Sequence, residues 1–167
     1  KVGKTLKATG QPKSWQVSYR WLRGGVPIAG ATKSSYKLTG ADAGLKISVE
    51  MSVARTGYQS AVRTSATKTV AKATPKVAIK LSKSTVKRNA ESFVTITITS
   101  SGVIPTGKIV IKAGKGSGTF TLTPAHNGKL TVQLINGSKG SFKIKATYNG
   151  NTQLKKKASK TVTLKVK

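Results

Sequence analysis

The chain is 167 residues long, enough for two small domains or one large one, and its 31 Lys and Arg stand against only three acids, Asp42, Glu50 and Glu91, for a formal charge of +28. That imbalance says little about fold, but it governs solubility, long-range steering and attraction to polyanions. The absence of Cys excludes a disulfide framework or a thiolate metal site, and no apolar run approaches the roughly 18 residues of a membrane-spanning helix.

Lys1-Val2-Gly3-Lys4 begins inside patterned sequence with no leader-like segment, so a leader and earlier domains are expected upstream. Thr5-Leu6-Lys7-Ala8 alternates and Thr9-Gly10-Gln11-Pro12 breaks. In the next run Val17, Tyr19 and Trp21 fall on one side of a two-residue period and Ser18, Arg20 and Leu22 on the other, which predicts a strand with a buried aromatic face. Gly24-Gly25 turns into Val26-Pro27-Ile28, where Pro suits an edge strand. Ser35 to Leu38 alternates, Thr39 to Gly44 breaks, and Ile47, Val49, Met51 and Val53 share one face of the clearest strand in this half. Gly57-Tyr58 turns again, and a Thr/Ser-rich strand over 61–70 closes the half. Many short strands at regular spacing predict a sandwich or barrel.

The order Trp21-Leu22-Arg23, Pro27-Ile28-Ala29-Gly30-Ala31-Thr32, Ser35-Tyr36-Lys37-Leu38-Thr39, Ala41-Asp42-Ala43-Gly44, Ile47-Ser48-Val49, Gly57-Tyr58 and Thr64-Ser65 resembles the bacterial immunoglobulin-like repeats of actinobacterial secreted and surface proteins. The family pattern usually has Asp where this chain has Gly24, so an acid is missing from that turn. Ala71-Lys72-Ala73-Thr74-Pro75-Lys76 reads as a short, partly flexible junction.

The second half restarts with Val77, Ile79 and Leu81, then Val94, Ile96 and Ile98 between threonines, Ile109 and Ile111, Phe120 and Leu122. Asn127-Gly128 is a hairpin signal before Leu130, Val132 and Leu134, and Asn136-Gly137 another turn signal before Phe142, Ile144, Ala146 and Tyr148. Val162, Leu164 and Val166 complete seven alternating segments, which predict a seven-stranded sandwich. Pro105-Thr106-Gly107-Lys108-Ile109, Gly118-Thr119, Ala146-Thr147-Tyr148-Asn149-Gly150-Asn151 and Val162-Thr163-Leu164 resemble a second bacterial immunoglobulin-like family, whose members often carry an Asp and a later aromatic where this chain has Asn151 and Leu154. The expected architecture is all-β, with two tandem immunoglobulin-like β-sandwich domains: 1–72, with or without a first strand of its own, and 73–167.

Residues 1–72 hold 13 Lys and Arg against 2 acids, and 73–167 hold 18 against 1, so the second domain is the more basic. If its apolar positions point inward, period two sends Lys108 and Lys112, Lys143 and Lys145, and Lys165 and Lys167 outward on the third, sixth and seventh strands. The immunoglobulin topology places those strands in one sheet, so the resemblance implies a six-lysine face, with Thr95, Thr97, Thr99, Thr131 and Gln133 on the opposite sheet. Lys155-Lys156-Lys157 extends the basic region in the last loop, and Arg20 and Arg23 read as part of the basic surface.

Catalytic chemistry has little to draw on. The single His126 lies in a turn far from any Asp, and Asp42 with Glu50 pairs a turn residue with an outward strand residue. Calcium needs more carboxylates, and Gly114-Lys115-Gly116-Ser117-Gly118 is a glycine-rich hairpin with no following helix to make a phosphate loop. A Lys-Asn isopeptide crosslink would need a buried acid, for which Glu91 is the candidate in the second half. Trp21 reads as core, whereas Trp15 and Tyr58 are the candidates for exposed stacking on a sugar or base. The expected function is a non-catalytic, cofactor-free, extracellular or cell-wall module that attaches non-specifically to an anionic polymer such as teichoic acid, acidic polysaccharide or extracellular DNA. The alternatives are a spacer in a larger adhesin or secreted enzyme, and a carbohydrate-binding accessory module.

Overall fold

The computed structural model describes residues 2–167, and Lys1 lies outside the described residues. Two compact units divide the chain, 1–73 and 74–167. Strands account for 51% of it, and the two helical elements are single 3-10 turns at Gly40–Asp42 and Pro124–His126, so neither offers a recognition helix. Each unit is an immunoglobulin-like β-sandwich.

Unit 1 contains β1 (Thr5–Lys7), β2 (Gln16–Arg23), β3 (Val26–Pro27), β4 (Ser35–Lys37), β5 (Lys46–Ala54), β6 (Ala61–Thr64) and β7 (Lys68–Thr69). β1 pairs β4 in a two-stranded sheet, while β3, β2, β5 and β6 follow in a second, with β7 also on β5. Gly24 and Gly25, at φ +57° and +86°, supply the positive φ pair of a two-residue hairpin turn from β2 to β3. Trp21, Leu38, Ile47, Val49 and Val70 form the core, with Leu6, Tyr19, Ile28 and Tyr36 packed around it. The Trp21 indole N–H, which burial would otherwise strand, donates to the Lys33 carbonyl at 2.9 Å. Leu22 falls on the opposite side of β2 from Trp21, yet it is buried as well, and so is its cross-strand partner Ser48.

Unit 2 contains β8 (Lys76–Leu81), β9 (Thr85–Val86), β10 (Ser92–Thr99), β11 (Gly107–Ala113), β12 (Gly116–Leu122), β13 (Lys129–Leu134), β14 (Gly140–Tyr148), β15 (Lys157–Ala158) and β16 (Val162–Val166). The three-stranded sheet runs β13-β10-β8; the larger runs β12-β11-β14-β16-β9, with β15 also on β14. Nine strands therefore stand where seven alternating segments are legible, because β9 and β15 are two-residue pairings too short to show a period. Val94, Ile96, Ile109, Ile144, Ala146, Tyr148, Leu154 and Leu164 fill the space between the sheets.

Asn127-Gly128 and Asn136-Gly137 do not close hairpins. β12 and β13 belong to different sheets, as do β13 and β14, so both connections carry the chain across the sandwich. Asn127 (φ 44°) and Gly128 (φ 77°) have the expected positive φ values, but Gly128 is needed for close approach. Its carbonyl accepts from the Ile98 N–H at 2.8 Å, and a Cβ there would meet the Ile98 oxygen at 2.4 Å. Asn136 is buried and donates to the Ala90 carbonyl and Ser92 hydroxyl at 2.7 and 2.8 Å.

The two units share one connectivity. β1 to β5 correspond in chain order and antiparallel pairing to β10 to β14, and β6–β7 to β15–β16. A serine bulge marks the last pair in both, splitting what reads in the sequence as one closing strand over 61–70. Ser65 donates its N–H to the Val49 carbonyl, and its hydroxyl accepts from the Val49 N–H and donates to the Ala66 carbonyl. Ser159 does the same with Ala146 and the Lys160 carbonyl. Ser65-Ala66-Thr67-Lys68-Thr69-Val70 and Ser159-Lys160-Thr161-Val162-Thr163-Leu164 thus share S-x-T-x-T-apolar, ending on a buried residue.

Candidate anion-binding face

β11, β14 and β16 are neighbours in the six-stranded sheet, and Lys108, Lys112, Lys143, Lys145 and Lys165 point to solvent from it, with Lys167 just past the end of β16. Lys112 lies directly opposite Lys145. Lys143 faces Thr163, which puts Lys165 on its diagonal, within reach of a long side chain. Like charges held this close repel, and none of these strands carries an Asp or Glu to offset them. Lys155 and Lys156 are exposed before β15, whereas Lys157 belongs to β15 and pairs with Tyr148 rather than lying in a loop.

The opposite sheet is not purely threonine. Lys80 faces Thr95, Lys129 faces Thr97 and Lys76 faces Thr99, so both edge strands carry exposed lysines around a threonine centre. Period two on Val77, Ile79 and Leu81 contains this information, since it sends residues 76, 78 and 80 outward. The distinction between the sheets is pairing: lysine meets lysine on one and threonine on the other. Thr95 and Thr131 share a hydroxyl hydrogen bond of 3.0 Å at the centre of the threonine row.

Two of the three acids are committed to arginine. Arg20 and Glu50 are directly opposite across β2 and β5, with Nε donating at 2.7 Å. Asp42 is fully buried; its carboxylate accepts from Arg23 Nε at 2.7 Å, Tyr36 Oη at 3.0 Å, and the Thr39 N–H and hydroxyl at 2.6 and 3.0 Å. Burial alone would raise the Asp42 pKa. The donors from Thr39, Arg23 and Tyr36 outweigh it and hold the group below the ordinary carboxylate range. Burial likewise opposes the Arg23 charge, and the bonds to Asp42 and Tyr36 more than restore it. Arg20 and Arg23 are thus ion-pair partners and not spare surface charge.

Glu91 is exposed and accepts from Gln133 Nε2 at 3.2 Å, and every described lysine is exposed, so the buried acid and lysine of an isopeptide site are not brought together. His126 closes a 3-10 turn, its Nδ1 2.6 Å from the Thr123 hydroxyl. Trp15 and Tyr58 meet each other at 5.7 Å between ring centroids, and the Arg55 guanidinium lies 5.2 Å above the Tyr58 ring. Tyr58 is 62% exposed, but one ring face is taken by Arg55. Among the described residues no three His, Cys, Asp or Glu cluster as metal ligands would.

Tyr148 is buried, and its hydroxyl donates to the Thr106 carbonyl at 2.7 Å. Burial raises its pKa, opposed in part by that bond. Asn151 donates to the same carbonyl, and its Oδ1 accepts from the Gln153 and Leu154 N–H groups at 2.9 and 2.7 Å. An Asp at this position would lack the donor, and Leu154 beside it is buried to 1% exposure.

The sheets, the connectivity and the buried core define immunoglobulin-like β-sandwiches. No family model matches the chain, and no curated protein matches it. Among solved structures it is similar to the D1–D4 ectodomain fragment of ICAM-5, at 13% identity and a TM-score of 0.50, with 99% of this chain and 50% of that one covered. It also matches a calcium-stabilized adhesin with which an Antarctic bacterium binds ice, at 12% identity and a TM-score of 0.42, covering 98% of this chain and 43% of that one. Mouse nectin-like molecule 4, in its Ig1–Ig3 ectodomain, matches at 15% identity and a TM-score of 0.37, covering 90% and 54%. The chain spans about half the length of these structures, and the likeness is one of fold.

Proposed function

We infer that the chain is a non-catalytic extracellular or wall-associated module, of the bacterial immunoglobulin-like repeat kind, whose unit 2 holds it on an anionic polymer. The observation that carries this reading is the direct opposition of Lys112 and Lys145, with Lys143 and Lys165 on the next diagonal and no acid on those strands. Folding brings these charges together at a cost, which a polyanion lying across β11, β14 and β16 would offset. The ligand class is a phosphate, sulfate or uronate polymer recognised by charge spacing rather than sequence.

Retention on DNA, teichoic acid or an acidic polysaccharide should fall steeply with salt. If about six charges are neutralised on DNA, affinity drops about a thousandfold between roughly 50 and 200 mM salt. Replacing Lys112, Lys143, Lys145 and Lys165 with Gln should remove most of the binding and flatten the salt slope. Replacing Lys76, Lys80 and Lys129 on the other sheet provides the control and should change it little. Equal losses from both sets would indicate diffuse attraction to a basic protein, the spacer reading, with no dedicated face.

A further inference from the structure

One edge of unit 2 lacks the protection that the other sheet ends carry. β12 closes the larger sheet on one side and pairs only with β11, without a bulge, from Gly107 opposite Leu122 to Ala113 opposite Gly116. Its neighbours in the chain, β11 and β13, both have their places in the sandwich, so this edge belongs to the complete fold of the unit. Gly116-Ser117-Gly118-Thr119-Phe120-Thr121-Leu122 holds no charge and no proline, in a chain with 31 Lys and Arg. Among the described residues β1, β4, β6, β8 and β13 each carry Lys or Arg, β3 carries Pro27, and β9 is two residues long. Charge, proline and shortness are the usual means of blocking pairing between sheet edges, and β12 uses none of them.

The free edge also matches itself. The Gly114 N–H donates to Lys143 and the Asn149 N–H to Lys108, so the even-numbered residues of β11 face β14 and the odd-numbered ones face β12. The register then turns the N–H and C=O groups of Ser117, Thr119 and Thr121 to the open side. Their side chains are exposed on the outer face, while Phe120 and Leu122 alternate inward. An antiparallel pair of β12 strands centred on Thr119 is the register that matches the whole strand. On its inner side Phe120 lies opposite Gly118 and Leu122 opposite Gly116, so each large side chain meets a position without a Cβ. In the single unit the Phe120 ring leans over its own Gly118, where a Cβ would meet it at 2.9 Å. On the outer side Thr119 meets Thr119 and Ser117 meets Thr121, hydroxyl pairs of the kind Thr95 and Thr131 form at 3.0 Å.

We propose that β12 pairs with β12 of a second copy, antiparallel about a twofold axis through Thr119, joining the larger sheets of two copies of unit 2 edge to edge. Each copy uses its one unprotected edge, so the contact closes at a dimer and does not propagate. Both lysine faces then lie on the same side of the joined sheet, and no formal charge enters the new ladder. The lysines of the two β11 strands stand three strand spacings apart, about 14 Å, which exceeds the roughly 8 Å Debye length at physiological salt but not the roughly 30 Å length at about 0.01 M. Salt therefore strengthens the dimer, the reverse of its effect on polyanion binding, and the proposal does not rest on that reading.

The test is sedimentation velocity on the full chain between about 10 µM and 1 mM protein at roughly 0.01, 0.15 and 0.5 M salt, with amide hydrogen exchange read at Ser117, Thr119 and Thr121. The expected result is a concentration-dependent dimer, weakest at the lowest salt, with exchange at these amides slowing as protein concentration rises. Thr119→Pro removes an N–H that only the second copy uses, at an edge position where proline is tolerated, and should weaken the dimer about thirtyfold. Thr119→Lys sets like charges opposite each other at the axis and should weaken it about fivefold, whereas Ser101→Lys, in an exposed turn, adds the same charge and should leave it unchanged. A chain that stays monomeric across this range would overturn the proposal, as would a dimer that salt dissociates or one indifferent to both Thr119 variants. Assemblies larger than a dimer, or slow exchange at Thr119 that is independent of protein concentration, would place the pairing elsewhere and overturn it equally.

Discussion

Counting back from the β2 and β11 hairpin turns, Trp21 pairs with Val49, whose N–H reaches the Ser65 hydroxyl; in unit 2 Ile111 pairs with Ala146, whose N–H reaches Ser159. The inward rows are the same device built from different side chains. One step along each strand, on the outward side, Leu22 faces Ser48 in unit 1 and both are buried, whereas Lys112 faces Lys145 in unit 2 and both are exposed. Identical pairing geometry therefore carries a covered, neutral pair in one unit and a bare cationic pair in the other. Hydrogen bonding fixes where residues sit, and it leaves the chemistry of the outer face free to differ.

The largest break in that comparison should come from Asp42→Ala, which strands Arg23 and removes the acceptor of Thr39 and Tyr36. A loss of about 3–5 kcal/mol is expected, confined to unit 1. Both tryptophans lie in unit 1, so fluorescence-detected denaturation reports it alone. Acid should act through the same group. Because folding lowers the Asp42 pKa, its contribution is complete above the unfolded value and disappears as pH falls through the folded one. The fluorescence midpoint should therefore drop on acidification below about pH 4, and Asp42→Asn should remove most of that dependence.

In unit 2, Asn136→Ala leaves the Ala90 carbonyl and Ser92 hydroxyl without their donor, and about 1–3 kcal/mol should be lost, read by hydrogen exchange across β10 and β13. The shared bulge offers the finest comparison. Ser159→Ala should cost about 1–2 kcal/mol because Ser159 is buried, and Ser65→Ala about 0.5 kcal/mol because water reaches Ser65. Equal costs would show that the bulge stabilises both units by geometry alone.

The sequence by itself determined the all-β class, the inward rows through Trp21, Val49, Ile96 and Ile144, the Gly24-Gly25 turn and the outward lysines, because alternation and positive-φ glycines are local properties read along one strand. It also contained Lys76 and Lys80, which the same period sends outward. Only the tertiary structure decided that Lys112 meets Lys145, that Arg23 belongs to Asp42 19 residues away, and that Trp15 meets Tyr58. The same holds for Asn127-Gly128 and Asn136-Gly137, whose turns carry the chain between sheets instead of closing hairpins. These features depend on register and on which strands become neighbours, and the free energy that selects them comes from packing two faces together. Pairing across the fold leaves no period in the chain, so the charge count was legible in the sequence while the arrangement that gives it a face was not.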